Sequence, residues 1–164
     1  MIRSCALRGS TDVKFRGEAP GGDKSCTFAM VGHNDVLRLF ESLIDAMSHS
    51  TFTKLLGKDW TADHRLSVNG SGNYESIKRY LANHTEIKSV WFYYDSDQAG
   101  RDGAEASSSR IFEDFPNREL SVMSCSPVKN KDWNEALQLY RKRLRRHRAC
   151  ALRTFASGSG FGVL

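Results

Sequence analysis

The spacing of apolar positions changes along the chain, and each change marks an element. Residues 1–31 read as short strands and turns, because Gly9, Gly17, Pro20, Gly21 and Gly22 punctuate them and Cys26 to Val31 alternates. Val36 to Phe40 then forms a short apolar run that predicts a strand, followed by a helix over about 43–56. Arg65 to Val68 reads as a weak strand, and Gly70-Ser71-Gly72 leads into a helix carrying Tyr74, Ile77 and Leu81. Val90 to Tyr94 is apolar at every position, the pattern of a strand covered on both faces. Gln98 to Phe112 predicts a helix with a small-residue face of Ala99, Gly103 and Ala106. Leu120 to Cys125 is a fourth strand, closed by Pro127. The clearest helix follows, with Trp133, Ala136, Leu137, Tyr140 and Leu144 at offsets 0, 3, 4, 7 and 11.

Four strand–helix units in succession imply an α/β fold, with about four parallel strands flanked by helices and joined by right-handed crossovers. The expected organisation is a β-rich segment over 1–31, an α/β domain over 32–148 and a disordered tail over 149–164, where the chain turns Ser/Gly-rich. There is no internal repeat.

At 164 residues the chain suits one compact domain with a real core. No apolar run approaches the ~18 residues of a membrane span, and no signal-peptide core follows the first residues. Cys5, Cys26, Cys125 and Cys150 are scattered without a C-x-x-C pair. They fit neither a zinc site nor a disulfide framework, so a cytoplasmic setting without membrane attachment is expected. Net charge is +5, from 24 basic and 19 acidic residues. Six of those cations, Arg141, Lys142, Arg143, Arg145, Arg146 and Arg148, fall in the octad RKRLRRHR, and the remainder is near neutral. Such a cluster suits a polyanion such as nucleic acid, and it equally suits a solvated helix end.

The carboxylates carry the sharper signal. Glu41 lies just past the first α/β strand and Asp45 within the following helical turn. Asp95 and Asp97 lie just past the buried third strand, and Asp132 sits between the fourth strand and the last helix. Ligands of an open parallel sheet bind beyond the carboxyl ends of its strands, so all five acids converge on one edge. Clustered carboxylates repel, and a hard divalent cation with oxygen ligands is the natural counter-charge. Taken singly, Asp95, Asp97 and Asp132 also suit helix capping. Three such motifs after three strands are harder to ascribe to caps alone.

The motifs Phe40-Glu41-Ser42-Leu43-Ile44-Asp45, Tyr94-Asp95-Ser96-Asp97-Gln98-Ala99-Gly100 and Lys131-Asp132-Trp133-Asn134-Glu135 resemble, in order and spacing, those of the Toprim domain of bacterial primases and topoisomerases. The nearest variety is that of the primase-related proteins of conjugative and other mobile elements, which also show segments like Leu7-Arg8-Gly9-Ser10 and Gly22-Asp23-Lys24-Ser25-Cys26-Thr27-Phe28. The resemblance spans roughly residues 3–140. Ser42 stands where bacterial primases have glycine, and Asn134 where they have a second acid.

The resemblance implies a primase-like nucleotidyltransferase domain that in relatives works beside an upstream region. Glu41 would be its general acid/base, and Asp95 and Asp97 would hold Mg²⁺, with Mn²⁺ as a substitute. Asp45 and Asp132 would complete the acidic rim, and Lys131 would contact phosphate. Single- or double-stranded DNA, nucleotides, and replication or mobilisation proteins are the partners implied. Two other classes stay open: a non-catalytic metal- and DNA-binding module, and a nuclease or topoisomerase component. Tyr74, Tyr80, Tyr93, Tyr94 and Tyr140 all fall inside expected strands or helices, which argues against a self-contained topoisomerase.

Overall fold

The computed structural model describes residues 3–10, 15–127 and 130–157. A hairpin comes first, with β1 (Ala6–Arg8) antiparallel to β2 (Arg16–Glu18). The body contains β3 (Ala29–Met30), β4 (Val36–Phe40), α1 (Leu43–Leu55), β5 (His64–Ser67) and α2 (Tyr74–Asn83). It continues with β6 (Ser89–Phe92), α3 (Gln98–Asp114), β7 (Ser121–Ser124) and α4 (Trp133–Ser157). The main sheet has the order β3-β5-β4-β6-β7, parallel throughout except for the antiparallel edge strand β3.

Period-two alternation decides which helix covers which face. Leu37, Leu39, Leu66, Val90, Phe92 and Tyr94 pack with Tyr74, Ile77 and Leu81 of α2 and with Ala104 and Ile111 of α3. On the other face Phe40 and Tyr93 pack with Ala46 of α1 and Trp133 of α4. That layer is aromatic: Trp133 donates from Nε1 to the Tyr93 carbonyl at 3.1 Å, and Phe52 meets Tyr140 at 4.9 Å. Trp133 and Tyr140 of α4 are therefore packing residues.

Three local expectations change. The buried face of α3 is Gly100, Ala104, Ser107 and Ile111, one position on from the small-residue stripe; Ala99 and Ala106 are exposed. Small residues occupy both faces of this helix, so their spacing alone does not say which is covered. β3, expected within the N-terminal segment, joins the main sheet beside β5. Finally, α4 continues over 149–157, where a disordered tail is expected. Ala149, Ala151, Leu152 and Arg153 are good helix formers, and no Gly or Pro intervenes before Gly158. Residues 158–164 lie outside the described residues. No helix among the described residues is long and apolar enough to cross a membrane.

Candidate active site

The site begins where β4 and β6 end side by side. Their following helices, α1 and α3, cover opposite faces of the sheet, which opens a crevice between the two strand ends. Glu41 follows β4 and Asp95 lies three residues past β6. The Asp95 backbone N–H donates to Glu41 Oε1 at 3.1 Å, holding the glutamate across the crevice. Gly100 lies beneath both: a Cβ there would sit 2.3 Å from the Asp95 carbonyl oxygen and 3.0 Å from Glu41 Oε1. Glycine is the one residue that lets α3 begin this close to the two acids.

The other acids are placed by helix starts. Ser42 caps α1 and its hydroxyl bonds Asp45 Oδ2, while Asp45 Oδ1 accepts from the Asn134 N–H at 3.2 Å. Asp45 thus ties α1 to the start of α4. Asp97 caps α3, with Oδ1 accepting from the Gly100 N–H at 3.0 Å. Asp132 accepts from the Glu135 N–H at 2.7 Å, and Glu135 reaches back to the Lys131 N–H at 2.7 Å. The K-D-W-N-E motif therefore caps the start of α4 through Asp132, whose residue also lines the crevice. Capping and clustering coexist in the same residues.

Electrostatics shows the convergence directly. Burial, then the charges of Glu41, Asp45, Asp132 and Asp97 in that order, push the Asp95 carboxyl from 3.8 up to about 7. The other four sequence-predicted acids therefore all act on Asp95. A cavity of about 760 Å³ opens over Glu41, Asp45, Asp95 and Asp132. Asp97 stands outside that lining, on the rim, where its Oδ2 is 4.0 Å from Lys131 Nζ. The donor set is all oxygen, hard and anionic, and fits a hard divalent cation.

Two features of the site escape sequence reasoning. The N-terminal hairpin and the Gly-rich turn that follows it form one wall, through Leu7, Glu18, Pro20, Gly22 and Lys24. Asn69, at φ 55°, donates from Nδ2 to Glu18 Oε1 at 3.2 Å, and Asn73 donates to the Lys24 carbonyl at 2.9 Å. The Gly21-Gly22 turn signals a tight bend, but nothing in its pattern names the β5–α2 loop as its neighbour. The contacts of Asn134, a residue its motif already singles out, are the second: it lines the cavity and accepts from Ser48 Oγ at 3.4 Å.

The basic octad lies elsewhere. Arg141, Lys142, Arg143, Arg145 and Arg146 are exposed on α4, and Arg141 is roughly 12 Å along the helix from Trp133 at the crevice. Arg148 continues the helix, but its side chain lies outside the described residues. Of the tyrosines, Tyr74, Tyr80, Tyr93 and Tyr94 are buried and Tyr140 is packed against Phe52, so none is presented at the cavity as a nucleophile.

A parallel sheet with carboxylates gathered past β4 and β6 defines a Toprim-type α/β domain. Residues 38–137 match the Toprim-like family, and the chain belongs to it. Among solved structures it is similar to the primase fragment of the bacteriophage T7 primase-helicase protein, at TM-score 0.60 and 14% identity, over 90% of this chain and 57% of that one. It is also similar to a chain in the bacteriophage T7 lagging-strand DNA polymerase assembly, where primase domains of two gp4 subunits are bound to an RNA/DNA hybrid and dTTP. There the TM-score is 0.55 at 16% identity, over 85% of this chain and 66% of that one. At such identities the likeness is one of fold. The chain spans a little over half the length of the T7 primase fragment. No functionally curated protein sequence matches it.

Proposed function

We propose that this domain performs divalent-metal-dependent, primase-like nucleotidyl transfer on a DNA template. The observation that carries the reading is the Asp95 carboxyl, raised to about 7 by burial and by four other acids in one crevice. A fold rarely gathers that much like charge without a cation to neutralise it. Asp95 and Asp97 would hold Mg²⁺, or Mn²⁺ in its place, with Asp45 and Asp132 completing the negative rim. Such an ion supplies charge stabilisation for a phosphate group.

The remaining chemistry belongs to the chain. Glu41, fixed by the Asp95 amide, would take the proton from a nucleotide 3′-hydroxyl as that oxygen attacks the α-phosphorus and pyrophosphate leaves. Lys131, at the rim beside Asp97, would contact phosphate. The octad on α4 would hold the DNA backbone at a distance from the acids. The upstream Gly22 to Phe28 segment and the K-D-W-N-E motif support a role in the replication or transfer of mobile elements.

A second reading is a metal- and DNA-binding module without turnover, for which the exposed basic residues Arg141, Lys142, Arg143, Arg145 and Arg146 of α4, set apart from the acids, would dock on DNA. The deciding experiment offers single-stranded DNA to the purified chain with Mg²⁺ or Mn²⁺, with and without nucleotides. Metal-dependent oligonucleotide synthesis that Asp95→Asn abolishes is the expected result. DNA binding without synthesis in the presence of both metal and nucleotides selects the binding module; cleavage without nucleotides selects a nuclease.

A further inference from the structure

The opposite end of the sheet holds a second cluster of metal-ligating groups. His64 opens β5, His84 closes α2, and Glu86 lies in the turn before β6, so all three sit at the amino-terminal edge of the parallel strands, away from the acids. Their ligand atoms lie within 4.8 Å of one another. Glu86 Oε1 is the shared partner, 2.8 Å from His84 Nδ1 and 3.8 Å from His64 Nε2.

The His64 side chain is only 1% exposed, and its Nε2 has no hydrogen-bond partner among the described residues. Its Nδ1 lies 2.9 Å from the Tyr80 hydroxyl. With the proton on Nδ1 donated to that oxygen, the Nε2 lone pair faces the cluster bare. A ligating histidine commonly has its second nitrogen satisfied in this way. Tyr80 also stacks on the His84 ring at 4.2 Å, so one side chain steadies both imidazoles.

We propose that His64, His84 and Glu86 form a Zn²⁺ site that fastens the end of α2 to the start of β5. Two imidazoles and one carboxylate are a donor set for zinc rather than magnesium. Zn–N and Zn–O bonds of 2.0–2.2 Å in a tetrahedron place ligand atoms roughly 3.4 Å apart. The separations of 2.8 and 3.8 Å to Glu86 bracket that spacing, and the partly exposed His84 and Glu86 can adjust to it. Three protein ligands leave the fourth position to water.

The test is a Zn²⁺ titration of the full chain against a chromogenic chelator, with excess Mg²⁺ present to occupy the acidic crevice. One Zn²⁺ per chain is expected, unaffected by Asp95→Asn and weakened tenfold or more in both His84→Gln and Glu86→Ala. These positions are chosen because His64 is buried and its replacement threatens folding. Co²⁺ in place of Zn²⁺ should give tetrahedral absorption without a thiolate charge-transfer band. Unchanged affinity in His84→Gln, loss of the site in Asp95→Asn, or a thiolate band from the free cysteines would each overturn the assignment.

Discussion

Asp95 and Glu41 are bonded through the backbone of one and the side chain of the other: the Asp95 N–H donates to Glu41 Oε1 at 3.1 Å. The bond leaves the Asp95 carboxylate out of the contact while fixing the glutamate across the ends of β4 and β6. It separates two tasks that adjacent carboxylates could otherwise share. Asp95 bears the repulsion of the other acids, and under the proposed function Glu41 would move the proton.

Gly100 makes that bond possible, and its replacement should be costly. Alanine is preferred over glycine in a helix by about 1 kcal/mol. A methyl group here meets the Asp95 carbonyl oxygen at 2.3 Å, and backbone cannot swing aside as a long side chain can. Overpacking of this kind costs typically 1–3 kcal/mol, which exceeds the helix gain. Gly100→Ala should therefore lower the urea midpoint and weaken divalent-cation binding together. A raised midpoint with unchanged metal affinity would show that the close approach does not constrain the site.

The burden on Asp95 should appear in stability. Its folded-state pKa of about 7 lies above the ordinary 3.8, so the folded protein keeps a proton that the unfolded chain has lost between roughly pH 4 and 7. Stability from this group is fully present below that window and is lost as the pH rises through about 7. Asp95→Asn removes the loss. In the presence of a chelator the variant should melt above the parent at pH 8, with the difference growing from pH 4 to pH 7. Water screens this half-buried group, so the gain should be about 1 kcal/mol, or ~3 °C. Equal melting temperatures at pH 8 would mean that the carboxylates are not in mutual repulsion.

The octad should act at a distance from the metal. Neutralising Arg141, Lys142, Arg143, Arg145, Arg146 and Arg148 should weaken DNA binding while leaving Mg²⁺ affinity unchanged. Each lost phosphate contact should reduce the log–log salt slope by about 0.7 to 0.9. An unaltered slope would assign these residues to solubility or to a protein partner.

Much of this arrangement is legible in the sequence because it is written in local pattern. The apolar run Val36 to Phe40, followed by E-x-x-x-D, gives both a strand and the acids at its end; the same holds for Val90 to Tyr94 and D-x-D. What stays hidden is long-range. The two-residue strand β3 has too little length to show its partner, and only the pairing of Ala29 with Leu66 and of Met30 with Arg65 brings it into the main sheet. The N-terminal wall depends on Asn69 reaching Glu18 across 51 residues. Arg65 begins the run that reads as a weak strand, and nothing in that pattern shows that it is buried and donates to the Trp60 and Asp63 carbonyls at 2.6 and 3.0 Å. The grouping of His64, His84 and Glu86 follows no metal-ligand spacing and exists only once α2 folds back on β5.

The central claim is that Glu41 moves a proton beside a metal held by its neighbours, and Glu41→Gln tests it most directly. Glutamine keeps an oxygen that can accept from the Asp95 N–H, so the crevice keeps its shape while the proton acceptor is removed. Nucleotidyl transfer on single-stranded DNA should fall by roughly a hundredfold or more, the loss expected of a general acid/base. Mg²⁺ affinity measured by calorimetry on the same preparation should fall only modestly, and DNA affinity should hold. Asp95→Asn should instead lose metal binding and activity together. Undiminished transfer in Glu41→Gln, with metal and DNA bound as in the parent, would contradict the account.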